Sequence, residues 1–243
     1  MIRGLVALLT LWAAPALAVT CRDVGFDGRA YTICEVDPAT EDLRMFLRDG
    51  VGAVYGSFAA VEQAFGPLAF AMNAGMYHDD RAPVGLYLED GAQAMRLVTN
   101  PGPGNFGLLP NGVFCIGAGR ADVIESLRYE AEAPECRFAT QSGPMLVVDG
   151  ELHPRFLPDS TSRHIRNGVG TSADGAQVVF AISDEPVTFH EFARLFRDGL
   201  GLPQALYFDG NVSRLHAPAL GRSDGGARMG PIVGVVDRGA AGG

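Results

Sequence analysis

Arg166-Asn167-Gly168-Val169-Gly170-Thr171-Ser172-Ala173-Asp174-Gly175-Ala176-Gln177-Val178-Val179-Phe180-Ala181-Ile182 sets two apolar runs about an Asp-Gly turn, the pattern of a β-hairpin. Thr188-Phe189-His190-Glu191 then reads as a capping box, because the Glu191 carboxylate can reach back to the Thr188 amide. The helix it opens puts Phe189, Phe192, Ala193 and Phe196 on one face and stops by Gly199 to Gly201. Next, Gln204 to Phe208 reads as a strand ending in Asp209-Gly210-Asn211. Hairpin, capped helix and returning strand within one stretch point to an α+β domain.

The rest of the chain repeats these units. Cys21 to Val36 is a predicted hairpin about Phe26-Asp27-Gly28-Arg29, and Leu43 to Leu47 is a further strand. Ser57 caps a helix over Phe58 to Phe65, stopped by Gly66-Pro67. Strands are expected at Leu68 to Met72, Val84 to Leu88, Met145 to Val148 and Pro231 to Val236, with a return through Gln93 to Val98. Phe106 to Leu109 and Val113 to Ile116 flank Pro110-Asn111-Gly112, the strongest hairpin signal in the chain. Arg120 to Arg137 is polar and carries no clear period. The expectation is a single domain over residues 19–243, with strand-rich mixed sheets and two main helices.

Residues 1–18 read as a signal peptide. Met1-Ile2-Arg3 is a positive head, Gly4 to Ala14 is uncharged, Pro15 breaks the run, and Ala16-Leu17-Ala18 offers small residues for cleavage. The apolar run is shorter than the roughly 20 residues of a membrane-spanning helix, so periplasmic or secreted localisation is expected, with no transmembrane segment in the mature chain. All four cysteines, Cys21, Cys34, Cys115 and Cys136, follow the cleavage point. In an exported chain they read as two disulfides. Of the three possible connectivities, the local pairs Cys21–Cys34 and Cys115–Cys136 are favoured, since each closes a short loop. Their spacing does not suit zinc.

Composition narrows the chemistry. All 19 cationic side chains are arginine, which removes Schiff-base chemistry and a P-loop lysine. An anion must be met by arginine, backbone N–H groups or a metal. The one tryptophan, Trp12, falls in the signal peptide, which disfavours a simple lectin platform. A net charge of −9 without a basic stripe argues against nucleic acid. The five histidines are scattered and show no metal-binding spacing, so no cofactor is expected and no metal is indicated.

In three places an apolar strand delivers a polar residue followed at once by glycine: Asn73-Ala74-Gly75, Ser142-Gly143-Pro144, and Asp209-Gly210-Asn211-Val212-Ser213. Taken singly, each is ordinary turn chemistry. Taken with the cluster Arg163-His164-Ile165-Arg166-Asn167-Gly168, they suggest one pocket.

Those motifs, in that order across roughly Tyr31 to Val236, resemble the phosphodiester glycosidase family, whose members include the mannose 6-phosphate uncovering enzyme. The family pattern after the late strand is Asp-Gly-Gly, then glycine and serine; here Asn211 and Val212 stand in place of the later glycines. That departure adds side chains where the family leaves open backbone, and implies an altered substrate preference. The resemblance implies hydrolysis of a glycosyl phosphodiester, in envelope or exopolysaccharide turnover, with a sugar-phosphate or glycan as partner. Breaking the C1–O bond needs stabilisation of the departing phosphate and a carboxylate acting as base or nucleophile. On this reading Arg166 grips the phosphate, Asp209 is the leading carboxylate and Asp184 a second. Asn73, Gly75, Ser142, Gly143 and Gly210 hold sugar hydroxyls or phosphate oxygens, and Ser213 supports Asp209. Two other readings stay open: a glycan-binding protein without catalysis, and a phosphodiesterase cutting P–O.

Overall fold

A computed structural model describes residues 19–239; the expected signal peptide lies outside the described residues. Seventeen strands follow in chain order: β1 (Thr20–Phe26), β2 (Arg29–Val36), β3 (Leu43–Phe46), β4 (Leu68–Asn73), β5 (Tyr87–Glu89), β6 (Ala92–Met95), β7 (Gly112–Ile116), β8 (Ala121–Glu125) and β9 (Phe138–Ser142). They continue as β10 (Met145–Val148), β11 (Glu151–Leu152), β12 (Asn167–Thr171), β13 (Val178–Ser183), β14 (Gln204–Asp209), β15 (Leu215–Ala217), β16 (Arg222–Ser223) and β17 (Ile232–Val236). The helices are α1 (Phe58–Phe65), α2 (Ser126–Glu132) and α3 (Phe189–Arg194), the last running into a π-helical turn over Leu195–Gly199.

The strands make three sheets. One has seven strands in the order β1-β2-β13-β12-β14-β10-β11; the others have five, β16-β15-β4-β17-β3 and β6-β5-β9-β7-β8. The α+β class holds, and the pairings between these strands are antiparallel rather than mixed. Side-chain alternation explains how the sheets meet. On β13, Val178, Phe180 and Ile182 face the common core, while Val179 and Ala181 face α3. On β4, Phe70 and Met72 point inward, while Leu68 and Ala71 lie against α1. One aromatic from each sheet meets at the centre: the Phe180 ring lies 4.7 Å from Phe70 of β4 and 5.7 Å from Phe114 of β7, with Phe208 of β14 at 6.5 Å.

Local signals account for the helices. Ser57 accepts the Ala60 amide at the start of α1, and the Thr188 capping box is complete, with both reciprocal bonds formed. Helix α3 needs a bare strand beneath it: a Cβ on Gly170 of β12 would stand 2.7 Å from the Phe196 ring. Helix α2 falls in the polar stretch that showed no period, and starts from Glu125, whose carboxylate accepts the Arg128 amide.

The hairpin expected about Pro110-Asn111-Gly112 does not form. Residues 104–107 form a turn and 108–110 a bend, and β7 pairs with β8 and β9 instead. Asn111 is fully buried, donates its side-chain amide to the Phe106 carbonyl at 3.0 Å and accepts the Ser126 amide through its own carbonyl. The turn residue is spent as an internal brace, so the preceding segment folds back rather than pairing.

Both local disulfides are present, Cys21–Cys34 and Cys115–Cys136, closing separations of 13 and 21 residues. Removing either pair as a double serine variant should cost about 3 kcal/mol, the loop-entropy loss for rings of this size, read from denaturant midpoints against the oxidised parent.

Candidate active site

The ends of β4, β12 and β14 converge on an asparagine pair. Asn167 opens β12 and Asn73 closes β4, and both are wholly buried. The Asn167 side-chain amide donates to the Asn73 backbone carbonyl at 2.9 Å and to the Asn73 Oδ1 at 3.0 Å. In return Asn167 Oδ1 accepts the Asp209 amide at 3.2 Å, and Asn73 Oδ1 accepts the Arg214 amide at 2.8 Å. Ser213 Oγ lies 2.9 Å from the Asp209 carbonyl and 3.0 Å from that of Ile165, with one proton to share between them. Together these bonds clamp the turn over residues 209–214. Asn167→Ala leaves at least two buried partners unsatisfied and should cost about 1–3 kcal/mol, measured by chemical denaturation.

Asp209 stands at the mouth of this clamp. Its carboxylate accepts the Asn211 amide at 2.8 Å, and the amides of Gly210 and Val212 also favour its charged form. Burial outweighs them and pushes its pKa up from the ordinary carboxylate value, and no arginine among the described residues pairs with it. An unpaired, half-buried carboxyl with a raised pKa is the profile of a general base or nucleophile.

The carboxyl opens into a cavity of about 420 Å³. Its apolar walls include Met76, Val84 and Phe106; its polar lining is Tyr77, Asn105, His164, Tyr207, Asp209 and Asn211. Asn211 belongs to the cavity lining, whereas Val212 packs against the cluster of Phe46 and Phe58. Gly210 is required where it is: a Cβ there would fall 2.1 Å from the Tyr207 hydroxyl.

Other expected residues take different places. Ser142 is buried and donates to the Phe208 carbonyl at 2.8 Å, so its hydroxyl ties β9 to β14 rather than facing the cavity. Gly75 and Gly143 sit in close backbone contact, Gly75 against Thr140 and Gln141, Gly143 against Asn111 and the Phe106 carbonyl. Arg166 is 1% exposed and lies one layer behind the cavity wall. Its Nε donates to the Val187 carbonyl at 2.9 Å and one terminal nitrogen to Ser162 at 3.1 Å; the other terminal nitrogen is buried without a partner. The guanidinium stacks 3.6 Å from the Phe189 ring centre and 5.5 Å from that of Tyr207. With its fork enclosed, it is not presented to a phosphate in the cavity.

Asp184 does not join the cavity lining either. Its carboxylate is held by Arg222 at 2.7 Å and by the Thr32 hydroxyl at 3.2 Å. The lining thus holds a single carboxyl.

Tyr77, Asn105 and Tyr207 reach the cavity without having been singled out as site residues, and His164 reaches it from the quoted arginine cluster. Tyr207 occupies an inward position two residues before Asp209, and its aromatic character within an apolar strand reads equally well as core. Tyr77 follows the Asn73-Ala74-Gly75 motif closely, and that proximity was the available signal. A larger cavity, about 680 Å³, lies between β8 and residues 171–173. Its arginines are already satisfied, Arg120 by Asp122 and Arg128 by Asp149, so no unpaired group there asks for a ligand. No group of metal-ligating side chains occurs among the described residues, and no helix among them is long and apolar enough to cross a membrane.

Comparison with known proteins identifies the family and the fold. The family model described as NAGPA, phosphodiester glycosidase, matches residues 67–218. The uncharacterized protein YigE of Escherichia coli (strain K12) is 35% identical over 212 residues, covering 86% of this chain and 82% of that protein. The catalytic domain of zebrafish N-acetylglucosamine-1-phosphodiester alpha-N-acetylglucosaminidase, auto-inhibited by its pro-peptide, shares the fold, with a TM-score of 0.61 at 13% identity over 93% of this chain and 86% of that one. A hypothetical protein from Synechocystis gives 0.58 at 13% identity, over 89% of this chain and 61% of its own.

Proposed function

This chain belongs to the phosphodiester glycosidase family, and from that premise we propose that it is an exported hydrolase cleaving the sugar C1–O bond of a glycosyl phosphodiester. The observation that carries the reading is Asp209, a carboxyl with a raised pKa and no cationic partner, facing a cavity on the end of a clamped strand. A base or nucleophile must be held rigidly and kept free of ion pairs, and the asparagine clamp and the enclosed Arg166 meet both needs.

The single carboxyl in the lining suits this chemistry. In an ordinary glycoside the leaving alcohol needs a second carboxyl as acid catalyst. A phosphate monoester leaves as a stable anion and needs less protonation. With Asp209 as base, water adds to C1, the C1–O bond breaks with its electrons on the phosphate oxygen, and Asp209 takes the water proton. With Asp209 as nucleophile, its oxygen bonds to C1 as the phosphate leaves, and water then breaks that ester, freeing the carboxylate and giving its proton to solvent or the departed phosphate. Asn211, in the lining next to this carboxyl, supports a substrate preference shifted from relatives with glycine there. The disulfides use all four cysteines, which favours an oxidising compartment outside the cytoplasm.

The zebrafish relative acts on an N-acetylglucosamine-1-phosphodiester, so that class is the first substrate to assay. Turnover in ¹⁸O-labelled water distinguishes the bond broken: label in the sugar supports the proposal, and label in the phosphate refutes it in favour of P–O cleavage.

A further inference from the structure

No arginine lines the cavity. Its polar lining includes two phenols, Tyr77 and Tyr207, the second reaching it from a side chain only 1% exposed, and each is seated on a glycine and backed by arginine. Tyr207 lies over Gly210, where an added Cβ would stand 2.1 Å from the hydroxyl. That contact fixes the phenol oxygen over the turn that carries Asp209. Behind the Tyr207 ring, 5.5 Å away, is the Arg166 guanidinium, which with Asn105 polarises the phenol oxygen. Tyr77 lies against Gly230, where a Cβ would stand 2.4 Å from the ring, and the Arg81 guanidinium sits 5.3 Å from that ring. Arg214 is close enough to act on the same phenol.

We propose that Tyr77 and Tyr207 are the anion-recognition pair of this cavity, donating their phenolic O–H groups to phosphate oxygens, with Arg81 and Arg214 behind one and Arg166 behind the other as positioning residues. The proposal deepens the glycosyl phosphodiester reading and rests on it for the identity of the anion. The physical advantage lies in the neighbouring carboxyl. An arginine inside the cavity would pair with Asp209 and hold it as an inert ion pair. A neutral phenol binds phosphate without competing for the base. Both phenols are protonated at neutral pH, as tyrosine ordinarily is; burial and the Asp209 charge raise their pKa values further, while the arginines behind them pull in the opposite direction and strengthen them as donors.

The test uses inorganic phosphate as the probe and tyrosine ultraviolet difference spectra as one readout, with kcat/KM on a sugar phosphodiester as the other. Tyr77→Phe and Tyr207→Phe each remove one oxygen and keep the ring that packs on glycine, so the fold is preserved. Each should weaken phosphate binding by roughly 10–100-fold, the loss of one hydrogen bond to a charged group, lower kcat/KM in parallel, and diminish the difference spectrum. Asp209→Asn keeps both phenols and removes a like charge, so it should bind phosphate at least as well as the parent while losing turnover. Parental phosphate affinity in either phenylalanine variant, or a parent protein whose phenols show no spectral response to phosphate, overturns the pair. Loss of phosphate binding in the phenylalanine variants alongside unimpaired turnover by Asp209→Asn would sink Asp209 as the base, and the same loss alongside water-derived ¹⁸O in the phosphate would sink the glycosidase reading; either leaves the tyrosine assignment standing.

Discussion

Asp209→Asn is expected to lower kcat/KM for a glycosyl phosphodiester by roughly 10²–10⁴-fold, the contribution of a positioned base, while making the folded protein more stable at neutral pH. Both effects come from one property. Burial raises the Asp209 pKa against three favourable backbone amides. A group whose pKa is higher in the folded state favours folding fully only below its unfolded pKa, about pH 4 for aspartate. That contribution is lost as pH rises through the folded value, so at neutral pH the ionised carboxyl is a net cost. Asparagine keeps the size and an oxygen acceptor without the charge. Thermal melts of parent and variant should therefore diverge at neutral pH, with the variant higher, and converge in acid below about pH 4. The same shift places the acid limb of the parent's activity above the ordinary aspartate range. Equal melting temperatures at both pH values, together with retained turnover, would mean that the carboxyl is neither strained nor catalytic.

The second large effect is on the fold. Phe180→Ala should cost about 3–5 kcal/mol, the range for emptying a buried aromatic site, and lower Tm by about 10 °C for a domain of this size. Phe180 is 0% exposed and touches an aromatic partner from each of the other two sheets as well as one from its own. The cavity cannot collapse without three sheets moving together, which puts the cost near the top of the range. Leu157→Ala provides the contrast: at 62% exposed, it should change stability by less than about 0.5 kcal/mol. If the two variants melt alike, the three sheets do not share one core.

Much of the architecture was legible because it is written in short-range chemistry. The Cys21 to Val36 hairpin, the Ser57 cap, the Thr188-Glu191 capping box and the Arg166 to Ile182 hairpin each depend on residues close together in the chain, and each forms. The hairpin signal at Pro110-Asn111-Gly112 failed because Asn111 has a stronger competitor than turn formation, a buried position with partners at both Phe106 and Ser126. Helix α2 was missed because it is held at its start by a single carboxylate cap and presents no apolar period. At the site, Asp209 and Asn73 were legible as polar residues ending apolar strands. Arg166 reads from sequence as an available phosphate ligand; the chain gives no sign that Phe189 and Tyr207, 23 and 41 residues further on, cover it.

The sequence by itself determined the hairpins of Cys21 to Val36 and Arg166 to Ile182, the caps at Ser57 and Thr188, which strand ends carry polar side chains, and that arginine is the only basic side chain available besides histidine. Those features follow from residue type and neighbours a few positions apart. The tertiary structure alone decided which polar groups face the cavity and which are consumed as braces. Ser142, Asp184 and Arg166 are spent on partners that, apart from the Ser162 carbonyl, tertiary packing brings close, whereas Tyr77 and Tyr207 contribute to the lining beside Asp209. Whether a side chain is free or engaged depends on what burial places within hydrogen-bonding distance of it, and here the partners that settle the matter come from other strands and loops, most of them far along the chain.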